Sequence, residues 1–83
     1  MPRVKYIRTK ENQIIVFSEL LTHDQFKNFD PISAGFISIR SIEVEGRHTS
    51  SCTCYGESVS LDLKSRPEKD TELARKQILG YDY

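Results

Sequence analysis

Tryptophan is missing from this chain, and cysteine, glycine and proline are scarce, at two, four and three residues. Two cysteines one residue apart, Cys52 and Cys54, do not make the disulfide framework of a small secreted domain, so a reducing cytoplasm is the expected compartment. So few glycines leave no phosphate-cradling loop. Gly56-Glu-Ser-Val-Ser60 lacks the further glycines such a loop needs, and Gly56 reads as a turn residue. No apolar run approaches the roughly 20 residues a bilayer-crossing helix takes, and the start lacks the basic-then-apolar layout of a secretory signal. Neither charge sign is in excess, with 12 Lys and Arg against 12 Asp and Glu, so no global field draws the chain to nucleic acid or anionic lipid.

Hydrophobic residues are 37% of the chain and include four Phe and four Tyr, too many for a disordered segment. The 83 residues are read as one domain, 1–83. A domain that short buries a modest share of its surface and is marginal on its own. That favours a homo-oligomer.

The clearest patterning runs from Cys52 to Leu79. Between Ser58 and Lys64 the residues alternate, with Val59, Leu61 and Leu63 on one side, which predicts a strand with one wet face. Ser65-Arg-Pro-Glu68 then starts a helix, either with Ser65 as cap and Glu68 reaching back, or with Arg66 as cap and Pro67 at the first helical position. The helix runs to about Leu79 and stops at Gly80. Acids at its start and Arg75 and Lys76 near its end suit the helix dipole. Its stripe of Leu73, Ala74, Ile78 and Leu79 is expected to pack on Val59, Leu61 and Leu63.

Nearer the start, residues 3–9 and 14–18 predict a hairpin closed by a polar turn at Lys10-Glu-Asn-Gln13. Ile14, Ile15, Val16 and Phe17 are apolar without alternation, which predicts a central strand covered on both faces. The cover is either two helices on opposite sides or a second subunit. Residues 19–30 hold a short helix, with capping-box spacing at Thr22 and Gln25 and a staple pair in Leu21 and Phe26. It ends at Asp30-Pro31. In the long strand of residues 34–45, Ile37 and Ile39 share one face and Ile42 and Val44 the other, which predicts a break near Arg40-Ser41. A turn at Glu45-Gly46-Arg47 leads into a strand over residues 48–55. The expected fold is α+β: a small, mostly antiparallel sheet of about five strands with one short and one longer helix, in the order strand, strand, helix, strand, strand, strand, helix.

Chemistry has few footholds. Cys52, Cys54 and His48 fall on one strand face, but at about 3.3 Å per residue His48 and Cys52 stand roughly 13 Å apart. One ion cannot gather them within one chain, structural zinc takes four ligands, and His23 is the only other histidine. A metal bridging two subunits is the remaining form of that idea, against two small buried thiols. No two carboxylates among Asp24, Asp30, Glu43, Glu45 and Asp62 have a diagnostic spacing. The start of the last helix holds Glu68, Asp70 and Glu72 and would repel phosphates.

Local charge is uneven only at the start, where Arg3, Lys5, Arg8 and Lys10 surround Tyr6 without an acid. Basic residues interleaved with an aromatic can track phosphates and stack a base, with Arg40 or Arg47 joining if the strands are adjacent. The same charges equally suit an edge strand guarded against pairing. Tyr55, Tyr81 and Tyr83 add residues favoured at interfaces.

These observations lead to an expected class rather than a reaction. It is a non-catalytic protein-interaction or regulatory accessory module acting as a homo-oligomer, with no cofactor. The alternatives are a nucleic-acid accessory module using Arg3, Lys5, Tyr6, Arg8 and Arg40, and an oligomeric metal or thiol protein.

Overall fold

The structure, a computed structural model, describes residues 3–80; the side chains at 42, 44 and 47–50 lie outside the description. Strands β1 (Val4–Thr9), β2 (Ile14–Ser18), β3 (Pro31–Val44) and β4 (Arg47–Tyr55) form an antiparallel sheet in the order β2-β1-β3-β4. A 3₁₀ helix, His23–Phe29, links β2 to β3. After β4 come two short strands, β5 (Glu57–Ser58) and β6 (Leu63–Lys64), and helix α1 (Pro67–Ile78). The fold is α+β, as the residue pattern implies.

Alternation along β1 divides the core. Val4 and Tyr6 face α1 and pack with Ile14, Ile37, Cys52, Cys54, Ala74, Ile78 and Leu79. Ile7 points the other way, with Phe17 and Ala34, and is covered by Phe26 of the 3₁₀ helix and by Leu61 and Leu63. The two helices therefore lie on opposite sides of one sheet. This corrects the position expected for β2, which is an edge strand and only partly covered on its α1 side, where Val16 and Ser18 are exposed; β1 is central.

The alternating run at 58–64 is not a single strand. It folds back on itself: Asp62 adopts a left-handed conformation (φ 54°) and its N–H bonds to the Val59 carbonyl at 3.2 Å. The Ser58 hydroxyl accepts the Leu61 N–H at 3.3 Å. Serine and aspartate bond their own backbone in this way and compete with a ladder. Val59 is left 87% exposed. Leu61 and Leu63 join the core on the side away from α1, so the helix stripe packs on Tyr6, Ile37, Cys52 and Cys54 instead.

Other local expectations resolve in detail. Arg66 caps α1 and Pro67 takes the first helical position, but the reaching carboxylate is that of Asp70, which accepts the Arg66 N–H at 3.0 Å. At the far end Gln77 clamps the first hairpin, accepting the Ile14 N–H at 2.8 Å and donating to the Asn12 carbonyl at 2.6 Å. Thr22 makes no side-chain cap bond at the 3₁₀ helix, and its hydroxyl bonds to Asp24. Asp30 ends that helix in a left-handed conformation. The break expected near Arg40-Ser41 is absent: β3 and β4 pair in one register from Phe36↔Tyr55 to Val44↔Arg47. The ribbon needs no break because it outruns the core, leaving Ile39 43% exposed. Its tip is a two-residue turn with Glu45 and Gly46 both at positive φ, the form that matches strand twist.

Candidate functional site

Of the five residues singled out for a basic surface, two are interior. Tyr6 and Arg8 sit on the central strand facing α1, both buried. Arg8 Nε stands 2.6 Å from Asp70 Oδ1 and 3.1 Å from Ser33 Oγ. The Ser33 hydroxyl donates to the same carboxylate at 2.9 Å, and the Tyr6 hydroxyl donates to its other oxygen. Ser65 Oγ lies 2.7 Å from the Tyr6 oxygen, and Arg8 Nη1 donates to Asn12 Oδ1 at 3.1 Å. Burial, helped by the Asp70 carboxylate, pushes the Tyr6 phenol far above its ordinary range, so it remains a donor. This network ties β1 and β3 to the first turn of α1. It is a structural strut, because Tyr6, Ser33, Asp70 and Arg8 are all buried. One sequence signal pointed to it: Asp70, Ala74 and Ile78 are four apart, so an acid continues the apolar stripe.

The other three lie on the opposite face. Lys5 pairs with Phe36 in the ladder, and the Arg3 guanidinium sits 4.4 Å above the centre of the Phe36 ring. Arg3 Nε is also 4.0 Å from Glu19 Oε2, and Lys5 Nζ donates to the Leu21 carbonyl at 2.8 Å. Phe36 stacks on Tyr55, with centres 5.8 Å apart, and meets the His23 ring edge-on at 6.0 Å. These side chains, with Glu57 and Val59, surround an open cleft of about 540 Å³ between the 3₁₀ helix and the β5–β6 turn. Tyr55 is shared with a second hollow of about 520 Å³ along the ribbon, lined by Ser38, Arg40, Ser51 and Thr53. Arg40 lies on the Phe36 side of β3, four residues on, and has no ion-pair partner among the described residues. Arg3, Lys5 and Arg40 thus share a face; Tyr6 and Arg8 do not.

His23 holds the back of the cleft. Its Nε2 is 2.9 Å from the Gly35 carbonyl, which can only accept, so the Nε2–H tautomer is fixed. Burial lowers its pKa, the Gly35 bond opposes that shift, and Lys5 adds to it. The fold therefore favours the neutral imidazole more than the unfolded chain does, which protonates it below about pH 6.5. Stability is full above that pH and falls as pH drops through the window down to the folded value, by at most about 1.4 kcal/mol per pH unit. Melting curves between pH 7.5 and 5 are expected to show this decline, and His23→Gln, whose amide can still donate to Gly35, to flatten it. An identical slope in the variant would remove His23 as the cause.

Cys52 and Cys54 are free and buried against Ala74. Burial raises both thiols, Cys54 to about 12 with help from Asp70, which makes them poor nucleophiles. Among the described residues no three His, Cys, Asp or Glu side chains gather as a metal site. The His48 and Arg47 side chains, and Tyr81 and Tyr83, lie outside the described set. No described helix is long and apolar enough to cross a membrane. Comparison of the chain with family models, with curated proteins and with solved structures finds no match to any of them.

Proposed function

We propose that the chain is a non-catalytic interaction module of the cytoplasm, working as a homo-oligomer, whose cleft receives an acidic peptide segment of a partner protein. The observation that supports this is the open aromatic floor beneath an anchored cation: Phe36 and Tyr55 stacked, Arg3 over Phe36, and Val59 held out at the lip. A floor of this kind takes an apolar side chain, and aromatic pockets of that sort are where binding energy concentrates. Arg3 and Lys5 outnumber Glu57 around the rim, which steers towards acidic sequence. The buried, reduced thiols suit a reducing compartment.

The probe is an acetylated peptide carrying Leu-Phe between paired glutamates, titrated by fluorescence anisotropy. Arg3→Glu and Tyr55→Ala are each expected to weaken it about tenfold, a step of roughly 1.4 kcal/mol. Both residues lie at the surface, so the fold should survive. Equal affinity in the parent and both variants would rule the cleft out.

A second reading places single-stranded nucleic acid along the same face, and it draws on Arg40 and Tyr55 flanking the hydroxyl stripe of Ser38, Ser51 and Thr53. Stacking on an aromatic with nearby arginine is the physics such binding uses. An oligouridylate that binds with a salt slope of about −0.7 per phosphate contacted, where the acidic peptide does not bind, would favour it.

A further inference from the structure

The outer edge of β2 is self-complementary, and we infer that it is the seam of a homodimer in which β2 pairs antiparallel with β2 of a second copy. This rests on the homo-oligomer part of the reading above and is independent of the cleft. The odd residues of β2 bond inward to β1, continuing the Thr9 N–H to Gln13 carbonyl bond of 2.9 Å. Alternation then turns the N–H and carbonyl groups of Ile14, Val16 and Ser18 outward. Two of these six are already used within the chain: the Ile14 N–H by Gln77 and the Ser18 carbonyl by the Leu21 N–H at 3.0 Å. Four are left over among the described residues: both groups of Val16, the Ile14 carbonyl and the Ser18 N–H.

A two-fold axis at Val16 matches that remainder without a gap. Val16 of each copy bonds Val16 of the other in both directions, and each Ser18 N–H reaches the opposite Ile14 carbonyl. The two groups already satisfied, the Ile14 N–H and the Ser18 carbonyl, fall opposite one another and need nothing. No other centre on this strand uses the four free groups and spares the two that are taken.

The side chains agree with the ladder. Ile14 to Ser18 carries no charge, no proline and no bulge, so the edge is guarded only at its two ends, by Gln77 on the Ile14 N–H and by the Leu21 N–H on the Ser18 carbonyl. Val16 is 41% exposed and faces the α1 side opposite Tyr6, and pairing sets it against its own copy. Ile15 comes opposite Phe17, a favourable cross-strand match. The unalternating run Ile14-Ile-Val-Phe17 has the composition of a central strand, and in an eight-stranded sheet of two copies β2 becomes central. The opposite edge of the sheet is different: α1 shields it, with Thr71 Oγ1 accepting the outward Cys54 N–H at 2.9 Å.

The test is the solution mass of the full chain by sedimentation, together with hydrogen exchange at the Val16 amide. The parent is expected at twice 9.6 kDa, with Val16 exchange slowing as concentration rises. Val16→Lys sets like charges opposite each other at the axis, and Val16→Pro deletes the outward donor without touching the bonds to β1. Each is expected to weaken the dimer at least tenfold while amide spectra keep the dispersion of the folded chain. A parent that stays monomeric overturns both the oligomer and its seam, including a monomer with a protected Val16 amide. A dimer unmoved by both substitutions, or one whose Val16 amide exchanges freely, overturns the seam alone.

Discussion

Replacing Asp70 with asparagine is expected to cost about 3–5 kcal/mol of folding stability, the loss seen when one partner of a buried ion pair is removed. Size and shape are conserved in that change, so the effect comes from charge. Arg8 would keep a buried guanidinium with no anion beside it, since Asp70 Oδ1 at 2.6 Å is its only carboxylate partner among the described residues. Tyr6, Ser33 and the Arg66 N–H also converge on that carboxylate, and an amide offers one acceptor where the carboxylate offers two. At the usual 0.05–0.15 kcal/mol per residue, a chain of this length has roughly 4–12 kcal/mol in total. Asp70→Asn should therefore lower the urea midpoint by a large fraction of its value. Arg8→Met in the same background should cost much less than it does alone, because the stranded charge goes with it, giving a coupling of about 1–3 kcal/mol. Simple additivity of the two changes would show that the pair is not coupled and that the network is incidental.

Gly35→Ala is the second large effect. Gly35 has an ordinary backbone conformation, absent from the positive-φ set, so alanine would by itself gain a few tenths of a kcal/mol by stiffening the unfolded chain. Space decides otherwise. A Cβ at Gly35 overlaps the Tyr55 carbonyl oxygen and comes within 3.3 Å of both the Gly56 carbonyl carbon and Ser65 Cβ. Two of those atoms are backbone and cannot swing aside. They belong to the crossing where the chain leaves β4 for β5, closed by the Ser65 N–H to Gly56 carbonyl bond at 2.9 Å. Overpacking against such neighbours costs about 3 kcal/mol. The Gly35 carbonyl also receives His23, so a shift there would open the back of the cleft. Thermal unfolding of Gly35→Ala checks the magnitude; a melting temperature equal to the parent's would mean that the crossing is looser than its geometry shows.

Much of the fold is legible in the residues because local and tertiary demands agree. Pro67 and Gly80 bracket α1, Lys10 to Gln13 turn the first hairpin, and Glu45-Gly46 turn the ribbon. Departures occur where they disagree. Val59, Leu61 and Leu63 alternate as a strand would, but Ser58 and Asp62 have turn chemistry that bends the chain between them. Ile14 to Phe17 reads as central, and in one chain it is an edge because pairing order is a long-range property. The candidate surface was half legible. Arg3 and Arg40 reach a common face through pairing of β1, β3 and β4, whereas Arg8 is buried because Asp70, 62 positions away in the chain, neutralises it. Nothing in the run of Arg3, Lys5, Tyr6 and Arg8 distinguishes the cations at the surface from the buried one. That distinction is made by the parity of β1 and by an acid placed in the helix stripe.

The account stands or falls on the cleft as the working surface, and amide shift mapping of the labelled chain against the Leu-Phe glutamate peptide tests it most directly. Saturable shifts confined to Arg3, Lys5, Phe36, Tyr55, Glu57 and Val59, and absent in Tyr55→Ala, are the expected result. Shifts gathered elsewhere, or none at millimolar peptide, would contradict it.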